Sequence, residues 1–247
     1  MRSKRVLDIL RLVRENGYAT MQELSERFGV SMSTIRRDIA QLVHDDLVTC
    51  SKNIVMPIMD STADRPLNFR STVNAQAKQA MSHEAAKLVK NGCTIFIDSS
   101  STVLPMVSML QQINHLVIVT NGLDVVPKIQ NNHVQLHIIG GEMSDISHGF
   151  YGATAENALR NFNFDFAFFS PVGVTPQNYA AESTWDAASV RRVAMQQSSC
   201  SVLLFDHTKV GLTRPYNFAH LSELQYIITD DTKNDFDTAA QVRRVHI

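Results

Sequence analysis

The chain has 247 residues, 44% hydrophobic and 19% charged, with a formal net charge of −1. That length holds two domains or one large α/β domain, with apolar material for a full core. Near-neutrality excludes a uniformly basic nucleic-acid binder, so any DNA contact must rest on where charges sit. Residues 1–57 carry nine Lys/Arg against seven Asp/Glu and the remainder 14 against 17, a slight asymmetry. Cys50, Cys93 and Cys200 lie far apart with no C-x-x-C spacing, which argues against a zinc site or a disulfide framework and for a reducing cytoplasm. No apolar run approaches the ~18 residues that would span a bilayer. The basic start Met1-Arg-Ser-Lys-Arg5 is followed by Asp8, Arg11, Arg14 and Glu15, so it reads as an amphipathic helix rather than a signal peptide.

In chain order, Val6, Ile9, Leu10 and Val13 mark one face of a first helix, thickened by Leu7 and Leu12 and ended at Asn16-Gly17. Thr20-Met-Gln-Glu23 has capping-box spacing and opens a short second helix with Leu24 and Phe28 inward, stopped by Gly29. Ser31 is a good N-cap for a third helix, on which Ile35, Ile39 and Leu42 form the apolar stripe. The opposite face carries Ser33, Arg36, Arg37, Ala40 and His44. Cationic and short, that face suits a major groove, where arginine bridges a guanine edge. On these residues alone a solvated amphipathic helix reads as well. Two helices joined by a tight Gly-containing turn are the helix-turn-helix plan, and Leu47–Thr49 with Ile54–Met56 can add a hairpin wing.

The run Ser31-x-x-Thr34-Ile-Arg-Arg-Asp38-Ile-x-x-Leu42, preceded by Glu23-Leu-Ser-Glu-Arg-Phe-Gly-Val30, resembles the winged helix-turn-helix of the DeoR family of bacterial repressors. The resemblance implies DNA contact by Arg36 and Arg37, supported by Ser33 and Thr34; Asp38, whose charge disfavours phosphate, reads as structural, orienting a neighbouring arginine or pairing within the domain. The family's wing often carries Arg/His-Gly-Gly-Ala, whereas this chain has Cys50-Ser-Lys-Asn-Ile-Val-Met56. Ser51-Lys52-Asn53 can still turn, because Asn tolerates positive φ, and Lys52 can reach phosphate.

Residues 58–73, with Asp60, Ser61, Thr62, Asp64, Pro66 and Asn68, show no sustained period and read as a linker between a domain at 1–57 and one at 74–247. Arg70, Asn74 and Lys78 run into a helix bearing Ala80, Ala85, Ala86, Leu88 and Val89; Arg70 and Lys78 read equally well as solvated helix charges. Strands are expected at Thr94–Asp98, Leu116–Thr120, Val134–Ile139, Asp165–Ser170, Ser201–Asp206 and Gln225–Thr229, with a last strand in the tail from Val242. Helices are expected at Val103–Leu110, Val125–Gln130, Ala153–Arg160 and Glu182–Ser199. Such alternation predicts a parallel-rich layered α/β sheet. Ligands of these sheets bind beyond the carboxyl ends of the strands. Those ends read Asp98-Ser99-Ser100-Ser101-Thr102, Thr120-Asn121-Gly122, Gly140-Gly141-Glu142 running on to Gly149, Pro171-Val-Gly173, and Asp206 with Lys209. Singly they are ordinary turns and caps; as a series they predict a small polar ligand, with residues 99–102 cradling a phosphate as they open a helix.

The series is similar to the DeoR-family effector domain, so the resemblance covers roughly Arg2 to Thr229 and implies a fold like that of sugar-phosphate isomerases. The family usually has Asp-x-Gly-[Ser/Thr]-Thr at the first strand end; Ser100 stands here at the glycine, a strained choice if that position needs positive φ. An isomerase would need a carboxylate base and a lysine, for which Glu182, Lys209 and Asp98 are candidates; in a sensor the same three are expected in the effector site. That alternative leaves the Arg36–Arg37 helix unexplained. The nine histidines suggest no metal, and no cofactor is expected. Trp185 is expected in core or interface, and Phe162, Phe164, Phe166, Phe168 and Phe169 indicate a buried strand. The expectation is a cytoplasmic transcription repressor, not an enzyme. It binds double-stranded operator DNA and responds to a phosphorylated sugar or related metabolite as a homodimer or homotetramer that self-associates through the α/β domain.

Overall fold

A computed structural model of the chain describes residues 2–44, 47–57, 66–130 and 133–246. Asp60, Ser61, Thr62 and Asp64 of the expected linker lie outside the described residues. The chain divides into two compact units, residues 1–72 and 73–247.

In the first unit, α1 (Arg2–Asn16), α2 (Met21–Phe28) and α3 (Met32–His44) pack over a small sheet of β1 (Ala19–Thr20), β2 (Val48–Ser51) and β3 (Ile54–Pro57), ordered β1-β3-β2. A one-turn helix, α4 (Leu67–Arg70), follows. Ile9, Val13, Leu24, Ile35, Ile39, Leu42 and Val55 are all within 1% of complete burial and make the core. Leu7, expected to thicken the α1 stripe, is instead 60% exposed: it lies two residues from Ile9, about 200° round the helix. Both capping readings hold. Thr20 accepts from the Glu23 N–H while the Glu23 carboxylate accepts from the Thr20 N–H, and Gly29 closes α2 at φ 62°. Lys52 and Asn53, at φ 47° and 66°, form a two-residue hairpin turn of the mirror-image type that matches strand twist.

The second unit is built on seven parallel strands: β4 (Thr94–Ile97), β5 (Leu116–Thr120), β6 (Val134–Ile138), β9 (Phe166–Phe169), β12 (Ser201–Phe205), β14 (Tyr226–Thr229) and β15 (Gln241–Arg244). Their order is β15-β14-β12-β9-β4-β5-β6. Period-two alternation sorts side chains to two faces. Phe96, Phe169, Leu203 and Ile227 join one core with α7 (Ala153–Leu159) and α8 (Trp185–Gln196). Ile97, Phe168, Leu204 and Ile228 join another with α5 (Ala75–Ala86) and α6 (Met106–Met109). Burial on both faces explains why these strands read as continuous apolar runs. The expected aromatic strand is buried at Phe164, Phe168 and Phe169, with Phe162 and Phe166 packed at its margins.

Two smaller sheets lacked a clear signal in the sequence. A hairpin of β7 (Glu142–Ser144) and β8 (Gly149–Tyr151) follows β6. An antiparallel sheet orders β10 (Gly173–Val174), β11 (Tyr179–Glu182) and β13 (Tyr216–His220). Three expected helices change. Residues 103–105 are turns, so only Met106–Met109 is helical, and Leu123–Lys128 is a 3₁₀ helix containing Pro127. Glu182 ends strand β11, and α8 starts after it with Thr184 as N-cap. Trp185 is no core residue: it is 56% exposed, edge-on to Tyr216 and under the Arg192 guanidinium.

Candidate functional site

Helix α3 presents the face its spacing predicts. The Ser31 hydroxyl accepts from the Thr34 N–H at 3.3 Å and lies 2.9 Å from Ser33 Oγ and 3.0 Å from Thr34 Oγ1. Ser33, Arg36, Arg37, Ala40 and His44 are exposed, while Ile35, Ile39 and Leu42 are buried beneath them. Asp38 is buried, and its carboxylate accepts from Arg5 Nε of α1 at 2.6 Å, the structural pairing expected of it. That bond fastens α3 to α1. Neither Arg36 nor Arg37 forms an ion pair among the described residues, and Lys52 projects exposed at the wing tip.

In the second unit the chain runs β4, β5, β6 outward in one direction and β9, β12, β14, β15 in the other. The order therefore reverses between β4 and β9, the place where open α/β sheets bind ligands. Asp98–Thr102 leave β4 at this point, all at most 5% exposed. Lys209, after β12, donates from Nζ to Ser170 Oγ and the Pro171 carbonyl, both at 2.7 Å, and to Thr102 Oγ1 at 3.5 Å. Lys78, on α5, donates from Nζ to Ser101 Oγ at 3.2 Å and is 4% exposed, which discards its reading as a solvated helix charge. Two ammonium groups thus meet the hydroxyl loop from different elements. Burial disfavours the ionised Asp206 carboxyl, but Lys209, Thr208, Lys78 and Asn74 together hold it below its ordinary value.

Several residues of the series are taken up by contacts inside the protein. Asp98 accepts from Ser100 N–H, Ser170 N–H and Arg191 Nε at 3.0–3.1 Å, and from Arg191 Nη2 at 2.9 Å. Arg191 also lies 3.4 Å from Glu182. Burial alone would weaken the charge on Arg191, but Glu182, Asp98 and Tyr151 keep the guanidinium protonated far above its ordinary value. Asp98 and Glu182 thus brace the loop through Arg191. Thr120 donates to the Ile97 carbonyl at 2.6 Å and accepts from Gly122 N–H at 2.9 Å. Asn121 donates to the Phe150 carbonyl, while its buried Oδ1 has no hydrogen-bond partner among the described residues.

Three of the four expected site glycines serve close packing. A Cβ on Gly149 would lie 2.4 Å from Ser99 Oγ, one on Gly141 2.3 Å from the Tyr151 carbonyl, and one on Gly173 2.2 Å from the Leu212 carbonyl; Gly140 has open space. Ser100 is not at positive φ, so serine is unstrained at the family's glycine position; its hydroxyl caps Val103 N–H at 3.4 Å. The loop turns before the short α6 begins, so the groups gathered at the switch point are hydroxyls and ammonium groups rather than a helix N-terminus.

Arg191 and Tyr151 escaped sequence reasoning. Arg191 sits between Ala187 and Ala194 on the apolar stripe of α8, and a charge on a buried stripe signals a buried partner. Tyr151, whose phenol lies 2.8 Å from Ser99 Oγ and 3.0 Å from Ser147 Oγ, gave no such signal. His133 and His137 have the i, i+4 spacing of a helical metal pair. His137 is on β6 and His133 just precedes it, and residues four apart in extended chain lie about 13 Å apart, too far to share an ion.

The comparisons agree with this architecture. Residues 73–231 match the family described as the DeoR C terminal sensor domain, and residues 5–51 the DeoR-like helix-turn-helix domain. The chain is 30% identical over 237 residues to a lactose phosphotransferase system repressor of Staphylococcus aureus, covering 92% of this chain and 91% of that one. It is 27% identical over 224 residues to the glycerol-3-phosphate regulon repressor of Escherichia coli, covering 90% and 88%. Among solved structures, ribose 5-phosphate isomerase A of Methanocaldococcus jannaschii superposes over 56% of this chain and 55% of that one, at 16% identity and a TM-score of 0.41. The relatives are regulators and repressors, which sets the isomerase alternative aside. With both units matched in their expected order, the chain belongs to the DeoR family of DNA-binding transcriptional regulators.

Proposed function

We propose that this regulator is a repressor whose operator binding is controlled by a phosphorylated sugar or a related metabolite held at the β4–β9 switch point. The observation that carries the reading is the convergence of Lys78 and Lys209 on the hydroxyls of Ser101, Thr102 and Ser170. Ammonium groups and rotatable hydroxyls supply donors to phosphate oxygens, and charge-assisted bonds are the strong ones. In this reading Ser99 and Asn121, beside the same loop, take the polyol end. Relatives named for a glycerol-3-phosphate regulon and a lactose phosphotransferase system support the ligand class. On the DNA side, Arg36 and Arg37 read base edge and phosphate, Ser33 and Thr34 support them, and Lys52 contacts phosphate from the wing. The protein acts in the cytoplasm as a homodimer or homotetramer; among the described residues no helix is long and apolar enough to cross a membrane. Effector control then requires that ligand favour one arrangement of the assembly over another.

Two titrations test the reading. Arg36→Ala and Arg37→Ala weaken operator binding; a bidentate base contact is worth about 1–3 kcal/mol, so one of them also relaxes base preference while the other flattens the salt dependence. Isotherms that overlay wild type across salt concentrations remove α3 from the DNA. Lys209→Ala lowers affinity for the sugar phosphate that binds wild type by roughly 10- to 150-fold, the equivalent of about 1.5–3 kcal/mol, and leaves effector-free operator binding near wild type. Unchanged calorimetric affinity refutes the cradle.

A further inference from the structure

Leu123, Ile138, Met143 and Ile146 are each between 41% and 48% exposed, and they lie on the edge strand β6, on the β7–β8 hairpin that follows it and on the segment tied to that hairpin. Ile138 ends β6, and Met143 follows five residues later on β7. The β7–β8 hairpin is tied back to the end of β5 by Phe150 N–H to the Asn121 carbonyl, and Leu123 N–H donates to the His148 carbonyl, both at 2.8 Å. Strand β6 itself is the last of the seven: β5 lines one side, and no strand pairs with the other among the described residues. Proteins blunt such edges with charge, proline or a bulge. The opposite margin follows that rule, since β15 carries Arg243 and Arg244. The β6 margin does not: residues 131–141 contain no Lys, Arg, Asp, Glu or Pro.

We infer that β6 is an interface for a second copy of this chain, pairing antiparallel with its own counterpart across a two-fold axis at Leu136. The occupant follows from the strand itself. Val134-Gln135-Leu136-His137-Ile138 alternates apolar and polar residues and has the same character read from either end. With Leu136 on the axis, Ile138 of each copy faces Val134 of the other, and Gln135 faces His137. Within one chain Gln135 Nε2 and His137 Nε2 already lie 3.1 Å apart, so these two groups are matched hydrogen-bond partners. No like charges meet, and the open N–H and C=O groups of both edges are satisfied by each other. A two-fold interface needs this kind of self-complementary patch. The exposed Leu123, Met143 and Ile146 flank the paired strands and extend the apolar contact. This surface is independent of the sugar-phosphate reading.

Sedimentation velocity of the full chain at micromolar concentration tests it. Wild type sediments as a dimer or larger assembly; Ile138→Lys and Met143→Lys, at exposed positions that the fold does not need, each halve that mass. Trp185→Lys, on a separate exposed patch with Tyr216, leaves the mass unchanged. Leu136→Cys probes the register without added charge: on the axis it faces its own copy at a spacing a disulfide spans, so oxidation gives a covalent dimer that wild type, with Cys50, Cys93 and Cys200, does not form. A monomeric wild type, a mass unmoved by both lysine variants, or an oxidised Leu136→Cys chain without covalent dimer overturns the inference.

Discussion

Arg191 shows how one buried side chain fixes the geometry of the Asp98–Thr102 loop. It is buried and bonded to Asp98, and Asp98 in turn receives the N–H groups of Ser100 and Ser170 from the two strands that flank the switch point. Removing one partner of a buried pair strands the other charge, at a cost of about 3–5 kcal/mol. Arg191→Met is therefore expected to destabilise the second unit by that amount in urea denaturation; a loss below 1 kcal/mol would show that the loop is held by other contacts. His207 is a milder case. Its Nδ1 lies 2.8 Å from Asp230, which raises its pKa above the ordinary 6.5. A raised folded-state value means that this stabilisation is complete below pH 6.5 and fades as pH climbs through the folded value. The His207 side chain is 55% exposed, so solvent screening keeps the effect small. The melting temperature of His207→Gln should lack that alkaline decline, and identical slopes in both proteins would dismiss the pair.

At the scale of elements, the wing illustrates two demands on one position. Lys52 sits at φ 47°, where a side chain costs about 1–2 kcal/mol relative to glycine, less the ~0.5–1 kcal/mol of extra entropy glycine loses on folding. Lys52→Gly is accordingly expected to stabilise the first unit by about 0.5–1 kcal/mol while weakening DNA binding uniformly across sequences and lowering the salt slope by about one. Stability and binding moving in opposite directions identify a residue kept for its charge. A variant that gains stability and keeps full affinity would take the wing tip off the phosphate backbone.

At the scale of the molecule, the division at Thr72–Val73 assigns the two chemistries to units with separate cores. Separate cores can melt separately, so calorimetry should resolve two transitions, of which Arg191→Met lowers only one. A single transition that moves as a whole in the variant would mean that the units unfold together.

Much of this was legible in the residues because it rests on local periodicity. The Ile35–Ile39–Leu42 stripe, the Thr20–Glu23 box, the turn at Lys52-Asn53 and the apolar runs of β4, β5, β9, β12 and β14 each follow from spacing within a few positions. So does the polar character of the strand ends, which the β-α alternation brings to one side of the sheet. What spacing could not supply was pairing between distant residues. Asp98 and Glu182 looked available for ligand until the fold set Arg191, 93 positions after Asp98, between them. Lys78 read equally as a surface charge until α5 packed on the sheet and aimed it at Ser101. Gly149 and Gly173 looked like ligand-facing turns, yet Ser99 and Leu212 fill the space where their side chains would be. A carboxylate's or a lysine's chemistry depends on which charges and how much water surround it, and those neighbours come from segments that only the closed tertiary structure brings together.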